Sequence, residues 1–360
     1  MKLFRCPSCD NTVFFENDRC LHCGSELAYF PETGRFTAIE AAGGDDAGRA
    51  LFREAGAADA THRMCANRVE HAACNWMVPA DDPLPFCRSC RLNRTIPNLL
   101  EAGSREAWLR IESAKRRFVR TLLDLGLPLE SKTENPGDGI AFDFLRDSWG
   151  APPVMTGHDN GLITINLGEA DDIERTRARV ELDERYRTLL GHFRHESGHF
   201  YWDKLVRGGP LLGEFRALFG DERTDYASAL SAYYANGPRP DWMAGYVSAY
   251  ASSHPWEDWA ETWAHYLHTV DALETADSFG MTLAPRTPEG GGIASLALTP
   301  RPDGGRTFDD MMRSWVSLTV ALNSFNRALG MPDPYPFALT PGSIAKLRFV
   351  HETIRASTTE

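Results

Sequence analysis

All eight cysteines of the 360-residue chain fall between Cys6 and Cys90, and the long remainder has none. The first four form two pairs, Cys6-x2-Cys9 and Cys20-x2-Cys23, separated by ten residues. A segment this short cannot bury enough apolar surface to fold by itself. Two CxxC turns, however, offer four thiolates to one ion, and a tetrahedral Zn(Cys)4 centre would supply most of the folding free energy. Disulfides are the competing use of these residues, and they need an oxidising compartment. The N-terminus, MKLFRCPSCD, lacks the apolar core of a signal peptide. A cytoplasmic location, with the cysteines as metal thiolates, is therefore expected.

Cys65, Cys74, Cys87 and Cys90 make a second quartet with only one CxxC pair, and a second Zn(Cys)4 site is expected from them. Between the quartets, from Phe30 to about Ala60, the sequence is rich in Gly, Ala and Asp (AAGGDDAGRA) and reads as a loose connection with one short helix. Residues 1–97 thus form a cysteine-rich module holding two structural zincs, and residues 98–360 a second domain. The composition, 42% hydrophobic, suits a sizeable core. The net charge of -12 disfavours a general affinity for nucleic acid, and no segment is long and apolar enough to span a bilayer.

Periodicity predicts a helix from Ser104 to Leu125, with Trp108, Ile111, Phe118 and Leu122 inward and Arg110, Lys115, Arg116, Arg117 and Arg120 on a solvated face. GLITINL (161–167) reads as a strand after a turn at Asp159–Gly161. Further helices are expected over 181–206, 223–235, 255–273, 309–329 and 341–354.

Within the first of these, LLGHFRHESGHFYWDKL places His195 and His199 one helical turn apart, so both imidazoles can reach one ion. Glu196 lies about 100° round the axis. A zinc-bound water there becomes ionisable near neutral pH, and Glu196 can take its proton during attack on a carbonyl. Gly198 is a costly residue inside a helix and requires a close neighbour to justify it. A catalytic zinc wants a third protein ligand, and downstream only His, Asp or Glu can provide it. YASSHPWEDWAETWAHYLH (250–268) is the best source: His254 or Ser253 can cap, Pro255 suits the first turn, and Glu257 and Glu261 share a face one turn apart. One can bind metal while the other orients a ligating histidine. His158, His192, His254, His265 and His268 are read as supporting or surface residues.

These motifs carry resemblances. The CxxC pairs resemble zinc ribbons. HExxH followed by E-x-x-A-E at Glu257–Glu261 resembles the gluzincin metallopeptidases, closely the lethal factor type and loosely the thermolysin type. That resemblance implies Glu257 as ligand, Glu261 as the support of a histidine, and Tyr250, seven residues before Glu257, as a donor to the developing oxyanion. The cysteine module, the stretch from Ile163 to Val206, HPWEDWAETWAHYLHTVDALETA and the final ALGMPDPYPFALTPGSIAKLRFVHETI together resemble a bacterial family of zinc-binding metallopeptidases with an N-terminal zinc ribbon. In zincins an upstream edge strand holds an extended substrate, a role implied here for GLITINL.

The resulting expectation is an α+β, zincin-like, mainly helical catalytic domain with a small β-sheet, behind a cysteine-rich module. It would use one catalytic and two structural zincs to hydrolyse a peptide or protein, and the ribbon could hold a protein partner. Two rival readings are a zinc-ribbon adaptor with a degenerate zincin domain and an SprT-like, DNA-associated protease. The latter typically uses a third histidine, against which Glu257 and Glu261 argue.

Overall fold

A computed structural model describes residues 2–57, 61–181, 187–300 and 306–358. Its contacts divide the chain into two units, Met1–Thr156 with Gly161–Asp171, and Gly157–Asn160 with Asp172–Glu360.

The first unit opens with a short antiparallel pair, β1 (Phe4–Arg5) and β2 (Thr12–Val13). Each of the first two CxxC turns is closed by a backbone bond from a left-handed residue: Asp10 N–H to Cys6 O at 2.8 Å, and Gly24 N–H to Cys20 O at 2.9 Å. A five-stranded antiparallel sheet follows: β3 (Leu27–Phe30), β4 (Arg35–Gly44), β5 (Ala50–Glu54), β6 (His62–Met64) and β7 (Met77–Pro79), in that order. The loose connection expected over 30–60 is thus corrected to strands. Phe36, Thr37 and Ile39 favour a pleated surface and are buried in it. The Gly- and Asp-rich residues supply only the turn, where Asp45 Oδ1 accepts from the N–H groups of Ala47 and Arg49 at 3.0 and 2.8 Å.

Helix α1 (Ala66–His71) and strand β8 (Asn93–Thr95) lead to helix α2 (Ser104–Asp124). Strand β9 (Ala141–Leu145) pairs in parallel with β8 and, along its whole length, with β11 (Leu162–Asn166). The inward apolar stripe of α2 is as expected and Arg110 is exposed, but three of its basic residues are not solvated: Lys115, Arg116 and Arg120 are all buried. Lys115 donates to Glu112 Oε1 at 3.0 Å and to Asn93, and Arg116 donates to the carbonyl of Ala73, next to Cys74. Buried cations of this kind survive because each has an acceptor. They tie α2 to the cysteine-rich segment, so the compact unit runs across residue 97.

In the second unit, strand β10 (Gly157–Asp159) and helix α3 (Asp172–Glu181) precede α4 (Leu189–Leu205). The helix expected from Glu181 starts instead at Leu189, where Thr188 Oγ1 caps it by accepting from Gly191 N–H at 2.9 Å; residues 182–186 lie outside the described residues. Helices α5 (Leu212–Phe219), α6 (Tyr226–Asn236), α7 (Pro255–Ser278), α8 (Phe308–Ala328) and α9 (Pro341–Ser357) complete it. The strand placed beside α4 in this unit is β10, with the rings of His158 and His199 6.0 Å apart, whereas GLITINL lies in the first unit as β11.

The core is the crossing of α4 and α7. A Cβ on Gly198 would stand 2.8 Å from Ala260 Cα, which explains the glycine: only it lets the two backbones touch. Trp259 Nε1 donates to Gly198 O at 2.8 Å and Trp263 Nε1 to Ser197 Oγ at 3.2 Å. Phe215, Phe219 and Phe349 close around Trp259. Lys346 of α9 reaches buried Asp258 of α7 at 2.5 Å and the carbonyl of Gly245 at 2.8 Å.

Candidate metal centre

Three groups of metal-ligating side chains converge among the described residues: Cys6, Cys9, Cys20 and Cys23; Cys65, Cys74, Cys87 and Cys90; and His195, His199 and Glu257. In the first quartet Cys6 Sγ lies 3.6 Å from Cys23 Sγ and Cys9 Sγ 3.6 Å from Cys20 Sγ, and in the second Cys74 Sγ lies 3.7 Å from Cys87 Sγ. A tetrahedron with zinc–sulfur bonds of about 2.3 Å has edges of about 3.8 Å, so both quartets fit zinc. None of the eight is in a disulfide. All four thiols of the second quartet are buried, and buried Arg116 offers the charge that offsets its thiolates.

The third group joins the two central helices. Helical spacing on α4 turns His195 and His199 to one side, and α7 brings Glu257 from its first turn. Glu257 Oε2 lies 3.0 Å from His195 Nε2, and Oε1 lies 3.5 Å from His199 Nε2. Ligand bonds of about 2.0–2.1 Å predict tetrahedral edges of about 3.4 Å. Glu261, one turn further along α7, is placed differently: its Oε1 is 2.7 Å from His195 Nδ1, away from the common point.

Burial makes this cluster an electrostatic problem that a cation solves. Glu196, His199 and Glu257 are all buried. Burial pushes the His199 imidazole down to about 3, leaving a neutral ring whose Nδ1 has no hydrogen-bond partner among the described residues. For His195 burial acts in the same direction, but Glu257 and Glu261 outweigh it and hold the ring well above its usual range. Without a metal, His195 therefore keeps a proton between two carboxylates, and a divalent ion would take that proton's place. Burial raises the Glu196 carboxyl, only partly offset by His195. A raised carboxylate is the better proton acceptor.

Tyr250, in a short 3-10 turn (Tyr250–Ser252), has its ring tilted against that of His195 with centroids 6.0 Å apart, and burial raises its hydroxyl. His254 caps α7 by accepting from Trp256 N–H at 3.1 Å, and His265 bonds Tyr335 rather than the cluster. His268 is held by Arg194. Two residues that sequence reasoning passed over also join the site. Tyr226 OH donates to Glu257 Oε1 at 2.6 Å, and Ser248 Oγ donates to Glu261 Oε2 at 2.6 Å. Neither sits in a motif or at a helical spacing from the ligands, so the sequence carried no signal for them.

This arrangement of two helical histidines and a distant glutamate agrees with what comparison shows. The sequence family described as "Putative zinc-binding metallo-peptidase" matches residues 104–353. The chain belongs to this family. A zinc-ribbon domain matches residues 3–101. Uncharacterized proteins of Mycobacterium bovis and of two Mycobacterium tuberculosis strains are each 40% identical to this metallo-peptidase family member over 98% of its length and 95% of theirs. No solved structure matches it. The molecule is a mixture of helix and sheet with an N-terminal zinc-ribbon region, and no helix among the described residues is long and apolar enough to cross a membrane.

Proposed function

We propose that the chain is a zinc-dependent peptidase of zincin type that hydrolyses peptide bonds in a peptide or protein substrate. The observation that carries this reading is the meeting of His195 Nε2, His199 Nε2 and a Glu257 carboxylate oxygen, all within 4.8 Å of one another, on two helices locked by Gly198. His195, His199 and Glu257 would hold the ion, and the two cysteine quartets would hold two structural zincs, three per chain in all. A zinc so held supplies a Lewis acid for the scissile carbonyl and makes water ionisable near neutral pH.

The chain's own residues do the rest. Glu261 accepts from His195 Nδ1, which fixes the tautomer and leaves Nε2 free. Glu196 takes the proton of the attacking water and passes it to the departing amine. Tyr250, kept protonated by burial, donates a hydrogen bond to the oxyanion. We assign the cysteine module to holding a protein partner and the whole chain to the cytoplasm, where the thiols stay reduced.

The test is cleavage of a mixed peptide library by the zinc-loaded wild type beside Glu196→Gln, with metal content measured on both. Glu196→Gln should retain three zincs and lose turnover. Undiminished cleavage by that variant removes Glu196 from the mechanism, and a wild type with two zincs and no cleavage refutes the enzyme.

A further inference from the structure

Helix α6 buries none of its residues, yet its first residue reaches the most buried carboxylate of the metal cluster. Tyr226 OH donates to Glu257 Oε1 at 2.6 Å, while buried Glu257 Oε2 faces His195 Nε2 at 3.0 Å. The two oxygens of one carboxylate are thus in different chemical states. Oε1 is engaged by a phenol, and Oε2 is the one left for an ion.

The position of Tyr226 is itself built. His254, the cap of α7, accepts from Trp256 N–H through Nδ1, so its proton sits on Nε2, which donates to Thr224 O at 3.0 Å. Gly220, in a left-handed conformation, lets the preceding turn lie on Pro255, at 3.2 Å from where a Cβ would stand. The Tyr226 ring packs edge-on against His254 and Trp256, with centroids 5.2 and 5.9 Å away. The N-terminus of α7 therefore grips the segment from Gly220 to Tyr226, and that segment returns a hydrogen bond to Glu257 three residues into the same helix.

Resting on the metal site proposed above, we infer that Tyr226 is a positioning residue that makes Glu257 a one-oxygen ligand, with His254 as the device that holds Tyr226 in place. Engaging Oε1 fixes the carboxylate plane and keeps its second oxygen out of the coordination shell. Positions on the ion then stay open for water and the scissile carbonyl, as a catalytic rather than structural centre requires.

The experiment uses the full chain with both cysteine quartets zinc-loaded, and the third site is titrated with zinc against a competing chelator, then with cobalt(II). Tyr226→Phe keeps the ring and removes only the hydroxyl. Its zinc affinity should fall about 10-fold to 100-fold, the usual effect of losing a residue that orients a ligand. Its visible cobalt absorption should weaken as Oε1 joins the metal and the coordination number rises. Ser231→Ala, at an exposed position of α6, should change neither. His254→Ser retains a capping oxygen but cannot reach Thr224. It should weaken zinc binding in the wild type and add nothing to Tyr226→Phe, because both act through one hydrogen bond. Unchanged affinity with a superimposable cobalt spectrum in Tyr226→Phe overturns the inference and leaves the metal site standing. A wild type that takes up only two ions overturns the metal site and this inference with it.

Discussion

The contact between Gly198 and Ala260 allows a prediction in which two well-known effects oppose each other. On an isolated helix Gly198→Ala would stabilise, since alanine is better than glycine in a helix interior by about 1 kcal/mol. In this molecule the new Cβ would lie 2.8 Å from Ala260 Cα and 3.3 Å from both Ala260 Cβ and O. All are atoms of α7 close to its axis, so no flexible side chain can move aside. The helices must separate by about 0.5 Å, and overpacking of that kind costs about 1–3 kcal/mol. Set against the gain in propensity, the net change is a loss of about 0–2 kcal/mol. For a unit of this size that lowers Tm by about 2–4 °C per kcal/mol. The separation also draws His199, the next residue on α4, away from Glu257, one turn before Ala260 on α7. Zinc affinity at the third site should fall together with stability. Thermal unfolding of metal-free and zinc-loaded protein, with chelator competition, measures both. A Gly198→Ala protein more stable by about 1 kcal/mol, with zinc affinity intact, would show that the crossing has slack and that Gly198 needs another explanation.

Other perturbations separate the remaining contributions. Glu261→Gln leaves an acceptor for His195 Nδ1 but removes its charge, so zinc affinity should drop about 10-fold or more while the fold persists, as read by chelator competition and circular dichroism. Lys346→Met strands Asp258, a fully buried acid that burial already pushes up to about 7 with Lys346 beside it. Urea unfolding should show a loss of about 3–5 kcal/mol, recovered in good part by adding Asp258→Asn. Burial holds His265 down at about 4 in the folded protein, so between its unfolded value of about 6.5 and that pH the unfolded chain binds the extra proton. Stability attached to His265 is therefore complete above about pH 6.5 and is lost as pH falls toward 4, by up to about 3 kcal/mol. Urea midpoints at several pH values should show that slope, and His265→Leu should flatten it. Mild chelation should remove the ion of the histidine site without unfolding. Cys74→Ser should instead unfold the first unit, because it removes one of the four thiolates that would hold the second structural ion.

These cases mark which features can be read from a chain before it folds. His195 and His199 were readable as a pair because one helical turn fixes their relation whatever else the molecule does. Likewise a CxxC turn presents two sulfurs to one ion in almost any surroundings. Glu257 and Glu261 were readable as two candidates on one face, but which one meets the histidine Nε2 atoms depends on how α7 crosses α4. That crossing is set by a single glycine whose partner lies sixty-two residues away. Tyr226 and Ser248 come from segments with no periodic relation to the ligands, and folding alone brings them to Glu257 and Glu261. The same distinction accounts for the misread stretches. Strands β4 and β5 were hidden because Gly and Asp dominate the turn between them, and the pattern over Arg35–Ile39 is four consecutive buried residues rather than an alternation. Lys115 and Arg116 looked solvated because charge predicts exposure only when no buried acceptor waits, and theirs are Glu112, Asn93 and the carbonyl of Ala73. Local geometry thus announces the atoms that can bind metal, whereas the hydrogen bonds that orient those atoms arise from tertiary contacts. It follows that two chains sharing HExxH and E-x-x-A-E can differ widely in metal affinity, and in this one the groups that orient Glu257 and Glu261 are the hydroxyls of Tyr226 and Ser248.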